Sequence, residues 1–288
     1  MLFRSDGGLR LASLRLGGTA RGTRIDATAR PEANGRDIAG LLALDNADAS
    51  LLVRQFGFEA LPLAGVGRGR VSAELKGGFE QGFEATALAD IAGTRLSYTG
   101  RLAGSPLSPE MKGLARATAN DAAPFLRLMA FGLPDFAARA PVEASARVEV
   151  SDGKLGLGDI AGAVAGGKIR GDLAGAADPG AGQRFRLTGA LALERASLPA
   201  LATLVFGPTR APRAGAPWSD ARFAAGLAEA PLADVRISAS EIALSDGVTG
   251  RDARFLLSLA PGLLQFRDRK STRLNSSHVA LSRMPSSA

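Results

Sequence analysis

Between Asp152 and Leu173 the chain reads DGKLGLGDIAGAVAGGKIRGDL. An Asp-Gly turn opens the stretch. Leu155 and Leu157 alternate with small or polar residues, Ile160 and Val164 follow, and a Gly-Gly pair breaks the run. Ile169 and Leu173 then alternate with Lys168, Arg170 and Asp172. Period-two alternation punctuated by turn residues predicts short antiparallel strands with one apolar face. The pattern recurs at Asp6–Ala27, Phe83–Leu102 and Asp246–Phe266, and the first three copies lie about 73 residues apart. A recurring period means one architectural unit used several times, which restricts the fold before any single residue is considered.

A second piece recurs with it. Asp48–Phe58, Asn120–Gly132 and Arg195–Gly207 each start polar, carry apolar residues at helical spacing and reach a Gly at or near their end. Asn120 or Asp121, and Ser197, suit helix N-caps; Gly132 and Gly207 suit the left-handed C′ position. Pro124 and Pro199 fall in the first turn, where a missing N–H costs little. Helices are therefore predicted near 47–56, 121–131 and 197–206. The unit is one short amphipathic helix followed by several strands, with boundaries near 1–45, 46–118, 119–194 and 195–267.

Individual strands follow from the same pattern. Val71, Ala73 and Leu75 face one way, and Arg70, Ser72, Glu74 and Lys76 the other. Phe79–Leu88 and Thr94–Leu102 read as a hairpin, and Met111–Thr118 as the next strand. Pro141–Ser151 is the cleanest of all: Val142, Ala144, Ala146, Val148 and Val150 predict an inward face, with Glu143, Ser145, Arg147 and Glu149 outward. A charged opposite face means a sheet covered on one side only, as antiparallel sheets allow. Thr209–Ser219, rich in Pro and Arg, reads as an exposed loop, and 221–228 as a strand. The fold class is mainly β, a β-dominated α+β arrangement with an antiparallel sheet.

The last residues differ from the rest. Asp268–His278 (DRKSTRLNSSH) resembles the translation of a common sequencing adapter, and Arg283–Ala288 (RMPSSA) the segment that follows it. Residues 268–288 are therefore expected to be an artefactual, unstructured tail on a truncated chain, and they are left out of fold reasoning. The tail holds four of the chain's 35 bases and one of its 28 acids, so the formal charge falls from +7 to +4. It also holds His278, the only histidine, and the chain has no Cys. Without His or Cys there is no Ser-His-Asp, Cys-His or His-rich metal constellation, and no cofactor is implied. No run of 18 apolar residues is present to span a membrane.

DAAPFLRLMAFGLPDF, followed by APVEASARVEVSDGKLGLGDIAGAVAGGKIRGDLAG, resembles the C-terminal region of AsmA-like proteins of Gram-negative bacteria. Similar phrasing stands at Ala43–Leu63 and Ala239–Phe266, so the resemblance covers nearly all of residues 1–267. Its motifs are patterns of Gly, Asp-Gly and alternating Leu/Val, not invariant chemical residues. The resemblance implies a long curled β-sheet with an apolar concave face. It also implies a periplasmic protein held to the inner membrane by an N-terminal segment, missing here. Its implied role is outer-membrane assembly and phospholipid movement between membranes. The expected partners are phospholipid acyl chains and the membrane; no nucleic acid and no particular protein partner is expected.

The aliphatic character of the apolar face fits acyl chains and makes a poor stacking platform for bases. Val148, Leu155, Leu157, Ile169 and Leu187 are the candidate lipid-groove residues. The alternation alone does not choose between a ligand-covered face and one packed against the helices or a second sheet. Three other readings carry less. A nucleic-acid binder would need more than a charge of +4 spread among Asp and Glu. An enzyme would need Asp152, Asp159, Asp172, Asp246 or Asp252 as acids or calcium ligands, whereas Asp-Gly at hairpins is turn chemistry and the spacing matches no calcium loop. A secreted β-repeat structural or adhesion module of autotransporter type is the strongest rival. Its coils recur every 20–30 residues or so, against a unit here of about 73 containing a helix. The basic loop at Arg210 and Arg213 reads as solvated charge.

Overall fold

The computed structural model describes residues 2–5, 8–11, 13–33, 36–56, 65–105, 108–129, 140–164, 166–178, 184–198, 232–245, 248–260 and 263–268. Strands β1 (Leu2–Ser5) and β2 (Gly8–Leu11) form a hairpin of their own. All other strands join one 14-stranded sheet in which neighbours in the chain are neighbours in space. It begins with β3 (Leu14–Ala20), β4 (Thr23–Pro31) and β5 (Ile38–Asn46), followed by helix α1 (Ala49–Gln55). Four strands come next: β6 (Gly69–Gly78), β7 (Gly82–Ile91), β8 (Thr94–Ser105) and β9 (Ser108–Ala119), followed by α2 (Ala123–Leu128). Four more are β10 (Val142–Ser151), β11 (Lys154–Val164), β12 (Gly167–Asp178) and β13 (Arg184–Ser197). The last three are β14 (Leu232–Ser245), β15 (Val248–Ala260) and β16 (Leu263–Asp268). Among the described residues strand makes up 78% and helix 7%, and the sheet does not close on itself, so the fold is mainly β, as the alternation predicts.

One ladder departs from the antiparallel expectation. β13 and β14 run parallel, Arg186 opposite Leu232 through Ser197 opposite Ala243, so the sheet is mixed. A hairpin turn cannot join parallel neighbours, because the chain must return to the far end of the sheet before the second strand starts. Residues 199–231 make that connection. The third expected helix, the loop at 209–219 and the strand at 221–228 lie outside the described residues there, as do Gly132 and Gly207. Ser197 closes β13, and Leu198, the next residue, is helical, which suits Ser197 as the cap. At the other end Asp268, assigned to the tail by its sequence, still pairs with Phe255; residues 269–288 lie outside the described set.

Both helices sit at one end of the sheet, because the β5–α1–β6 and β9–α2–β10 connections leave from the same end. Each starts two residues later than expected, after an Asp whose side chain caps it. The Asp48 carboxylate accepts the Ser50 N–H at 2.8 Å. Asp121 accepts from the Ala123 N–H at 3.0 Å and the Ala140 N–H at 2.9 Å, which ties down the return into β10. The buried cluster lies here, with Ala49 and Val53 of α1, Leu128 of α2, and Ile91 and Ala92 at the β7–β8 turn. A polar chain closes the same end: Asn46 Nδ2 donates to Thr23 Oγ1 at 2.7 Å, and that hydroxyl donates to Gln55 Oε1 at 2.6 Å. Beside it, the Arg68 guanidinium, 2.6 Å away, holds the Asp45 carboxyl below the ordinary carboxylate range, with Arg70 assisting. A depressed carboxyl stabilises the fold above its unfolded value, and that support is lost as pH falls through the folded one.

β7 starts at Gly82, so Phe79–Gln81 form the turn and not the head of the strand; Phe79 is 85% exposed. A turn residue has no sheet neighbour to bury its side chain, which overrides the local alternation. β10 keeps the expected faces: Val142, Ala144, Ala146, Val148 and Val150 are half-buried, and Glu143, Arg147 and Glu149 are exposed. Half-burial sets the size of a testable effect. Val148→Asp places a carboxylate among apolar neighbours that water partly reaches, so the cost should be about 2 kcal/mol. Glu149→Lys loses only an exposed pairing with Lys112 at 3.8 Å and should cost a few tenths of a kcal/mol. Urea midpoints of the two variants check this; equal shifts would contradict the assignment of faces.

Candidate functional site

Paired residues in a ladder lie on the same face of a sheet, so the registers trace rows of side chains from strand to strand. One row starts at Leu14, passes Ala29, Gly40 and Leu75, and reaches Ala85 and Gly100. It continues through Gly113, Val148, Leu157 and Leu173. Gly189, Val235, Leu257 and Phe266 complete it. That row crosses all fourteen strands without a polar side chain. Three parallel rows are apolar over most of the sheet: the one through Val150 runs from β4 to β16, the one through Ala144 from β3 to β15, and the one through Ala146 is shifted at the β10–β11 ladder and continues from Ile160 to Phe255. From β3 to β15 Tyr98 is the only side chain on these four rows with a hydroxyl, amide or charge among the described residues, and on β16 Asp268 stands opposite Phe255. Strands stand about 4.8 Å apart and alternate residues about 6.8 Å, so the apolar band is roughly 60 Å across the strands and 20 Å along them.

Keeping one face apolar through β11 requires a local irregularity. Leu155 and Leu157 are odd-numbered, whereas Ile160, Gly162 and Val164 are even. Between Leu157 (opposite Leu173) and Ile160 (opposite Gly171) the register shifts by one residue. Asp159 sits in this bulge at φ +52°, its N–H held by the Asp172 carboxylate at 2.9 Å and its own carboxylate by Arg147 at 2.6 Å. An extra residue in one strand restores the phase of the side chains after it. Asp152 (φ +50°) and Asp252 (φ +54°) also take left-handed backbone, which Asp tolerates better than most residues. Asp152, Asp159 and Asp172 thus serve turn and bulge geometry, while Asp252 lies within β15; Asp246 lies outside the described residues.

All five candidate groove residues fall on this face. Val148 and Leu157 oppose each other directly. Leu155 and Leu187 flank Gly175 from either side. Ile169 lies two rows farther along β12, between Gly162 and Leu193, so it shares the face without touching the other four. All five are half-buried, and the face becomes fully buried at β14 through Val235, Ile237 and Ala239. Its floor is not uniform: Ala85, Ala87, Ala115 and Ala146 line β7–β10, while Leu, Ile and Phe dominate β11–β15.

The opposite face carries the charges. Arg15–Asp26, Arg95–Asp90 and Lys112–Glu149 pair across neighbouring strands at 3.7, 3.3 and 3.8 Å, and Arg186 pairs with Asp234 at 2.7 Å. Such exposed pairs add little stability, but they fix which face remains in water. Among the described residues no helix is long and apolar enough to cross a membrane.

Tyr98 was not singled out by the sequence. Its ring lies across Gly100 and Gly113: a Cβ on Gly113 would stand 2.8 Å from Tyr98 Cε2, and one on Gly100 2.7 Å from its hydroxyl oxygen. The hydroxyl donates to the Arg101 carbonyl at 3.1 Å, and burial pushes its pKa up. Phe185 covers Gly175 in the same way. An aromatic two residues before a strand glycine, on the same face, is the signal that points to such a contact. No protein-family model, curated protein or solved structure matches this chain.

Proposed function

We propose that this chain binds phospholipid acyl chains along the apolar face of its sheet and is part of a periplasmic, inner-membrane-anchored AsmA-like protein. Such a protein would move phospholipid between membranes in support of outer-membrane assembly. The observation that carries the reading is the apolar row that runs from strand β3 to β16 through Val148, flanked by three further rows that are aliphatic over most of the sheet. A half-buried aliphatic face of this extent calls for an apolar cover. Its length along the strands, about 20 Å, exceeds the roughly 15 Å hydrocarbon depth of one bilayer leaflet. The AsmA resemblance supports the compartment and the transport role. Each buried methylene contributes about 0.8 kcal/mol, so two chains are held without a polar site, and headgroups lie at the rim of the band.

The test is native mass spectrometry and lipid extraction of protein purified from a Gram-negative host, beside a fluorescent-lipid binding assay. Phospholipid should co-purify, and Leu157→Asp together with Ile169→Asp should remove most of the binding. No co-purifying lipid, with binding unaffected by those charges, would reduce the face to an ordinary core surface.

A further inference from the structure

The floor of the apolar band has one weak point, where Gly100 of β8 and Gly113 of β9 oppose each other. No other directly paired glycines stand in the four inner rows among the described ladders. Two glycines side by side leave the peptide backbone of two strands bare. Water reaching those polar groups would interrupt an otherwise continuous apolar surface. On the Tyr98 side, Ala87 and Ala115, opposite Tyr98 on either strand, reach no farther than Cβ. The Tyr98 ring reaches over both glycines, its hydroxyl tied to the Arg101 carbonyl.

We infer that Tyr98 is a lipid-contacting residue that bridges the two halves of the band, its ring supplying the apolar floor that acyl chains touch as they cross from β7 to β10. This rests on the lipid-binding reading above. The hydroxyl serves to orient the ring and the ring makes the contact, so the effect belongs to the aromatic surface.

Tyr98 is the only tyrosine in the chain and Trp218 the only tryptophan. In a Trp218→Phe background, tyrosine fluorescence therefore reports on one position. The full chain is mixed with phosphatidylethanolamine/phosphatidylglycerol vesicles bearing either bromine on the acyl chains or a nitroxide on the headgroup, and bound lipid is counted by native mass spectrometry. Acyl bromines should quench Tyr98 clearly more than headgroup nitroxides do. Tyr98→Ala should weaken fluorescent-lipid binding roughly tenfold, the worth of one aromatic's apolar contact, and Tyr98→Phe, which keeps the ring, should recover most of that loss. If lipid binds but headgroup labels quench Tyr98 as well as acyl bromines do, the inference is wrong and the lipid-binding reading stands. If no lipid binds, both fall. Quenching in the Tyr98-containing protein decides the matter even where Tyr98→Ala folds poorly.

Discussion

Gly189→Val should lower the stability of the sheet by about 3 kcal/mol or more, from backbone strain and collision together. Gly189 sits in β13 on the apolar face at φ +146°, a conformation that side-chain-bearing residues rarely adopt. A Cβ there would stand 2.9 Å from the Leu173 Cα across the β12–β13 ladder and closer still to the Asp172 carbonyl. Neither is a flexible side-chain end, so relief requires the two strands to move apart. Gly17 in β3 is the control. A Cβ on it meets nothing within 4 Å and its φ is not positive, so Gly17→Ala should be neutral or stabilising by about 0.5 kcal/mol through the unfolded chain. Domains of this kind have only about 5–15 kcal/mol in total, so Gly189→Val should shift the urea midpoint conspicuously and Gly17→Ala scarcely at all. Similar midpoints for the two variants would contradict the β12–β13 register.

Leu52→Ala should cost about 3 kcal/mol, within the range for a fully buried leucine truncated where the surroundings relax only in part. Leu52 is 0% exposed on α1 and packs onto Gly69 at the start of β6; a Cβ on that glycine would lie 2.9 Å from Leu52 Cδ2. Close helix–strand approach is the reason a glycine opens β6. Leu51, one residue earlier, points away and is 36% exposed, so Leu51→Ala should cost well under 1 kcal/mol. Thermal melting of the two variants separates the faces of α1, since the sheet end has few other buried groups to share the load. Equal losses would mean that α1 does not seat on β5 and β6 as described.

Much of this architecture was legible in the residues. Period-two alternation assigned the faces of β6 and β10 correctly, because successive side chains on a strand must point to opposite sides. Asp121 and Pro124 marked the start of α2, and the Asp-Gly pair at 152–153 marked a turn, because capping and left-handed backbone are local chemistry. All five candidate groove residues also lie on one face, and four of them cluster.

What the sequence left open is what depends on distant partners. The bulge at Asp159 breaks the alternation of β11, and only the pairing of Leu157 with Leu173 and of Ile160 with Gly171 explains why Ile160 returns to the apolar face. The parallel step from β13 to β14 has no signature within either strand, since direction is set by where the connection re-enters the sheet. Phe79 continues a strand pattern yet lies in a turn, because no neighbouring strand reaches it. Tyr98 looks like any strand aromatic until Gly113, on the next strand, comes to lie under its ring. The degree of burial was likewise undetermined by pattern. Alternation says which way Val148 faces; the single-sheet ladder around it leaves that side chain half-buried. The sequence by itself determined the strands and their faces, because those follow from neighbours two residues apart, and the tertiary structure alone decided register, direction and cover, because those follow from residues brought together by the ladder.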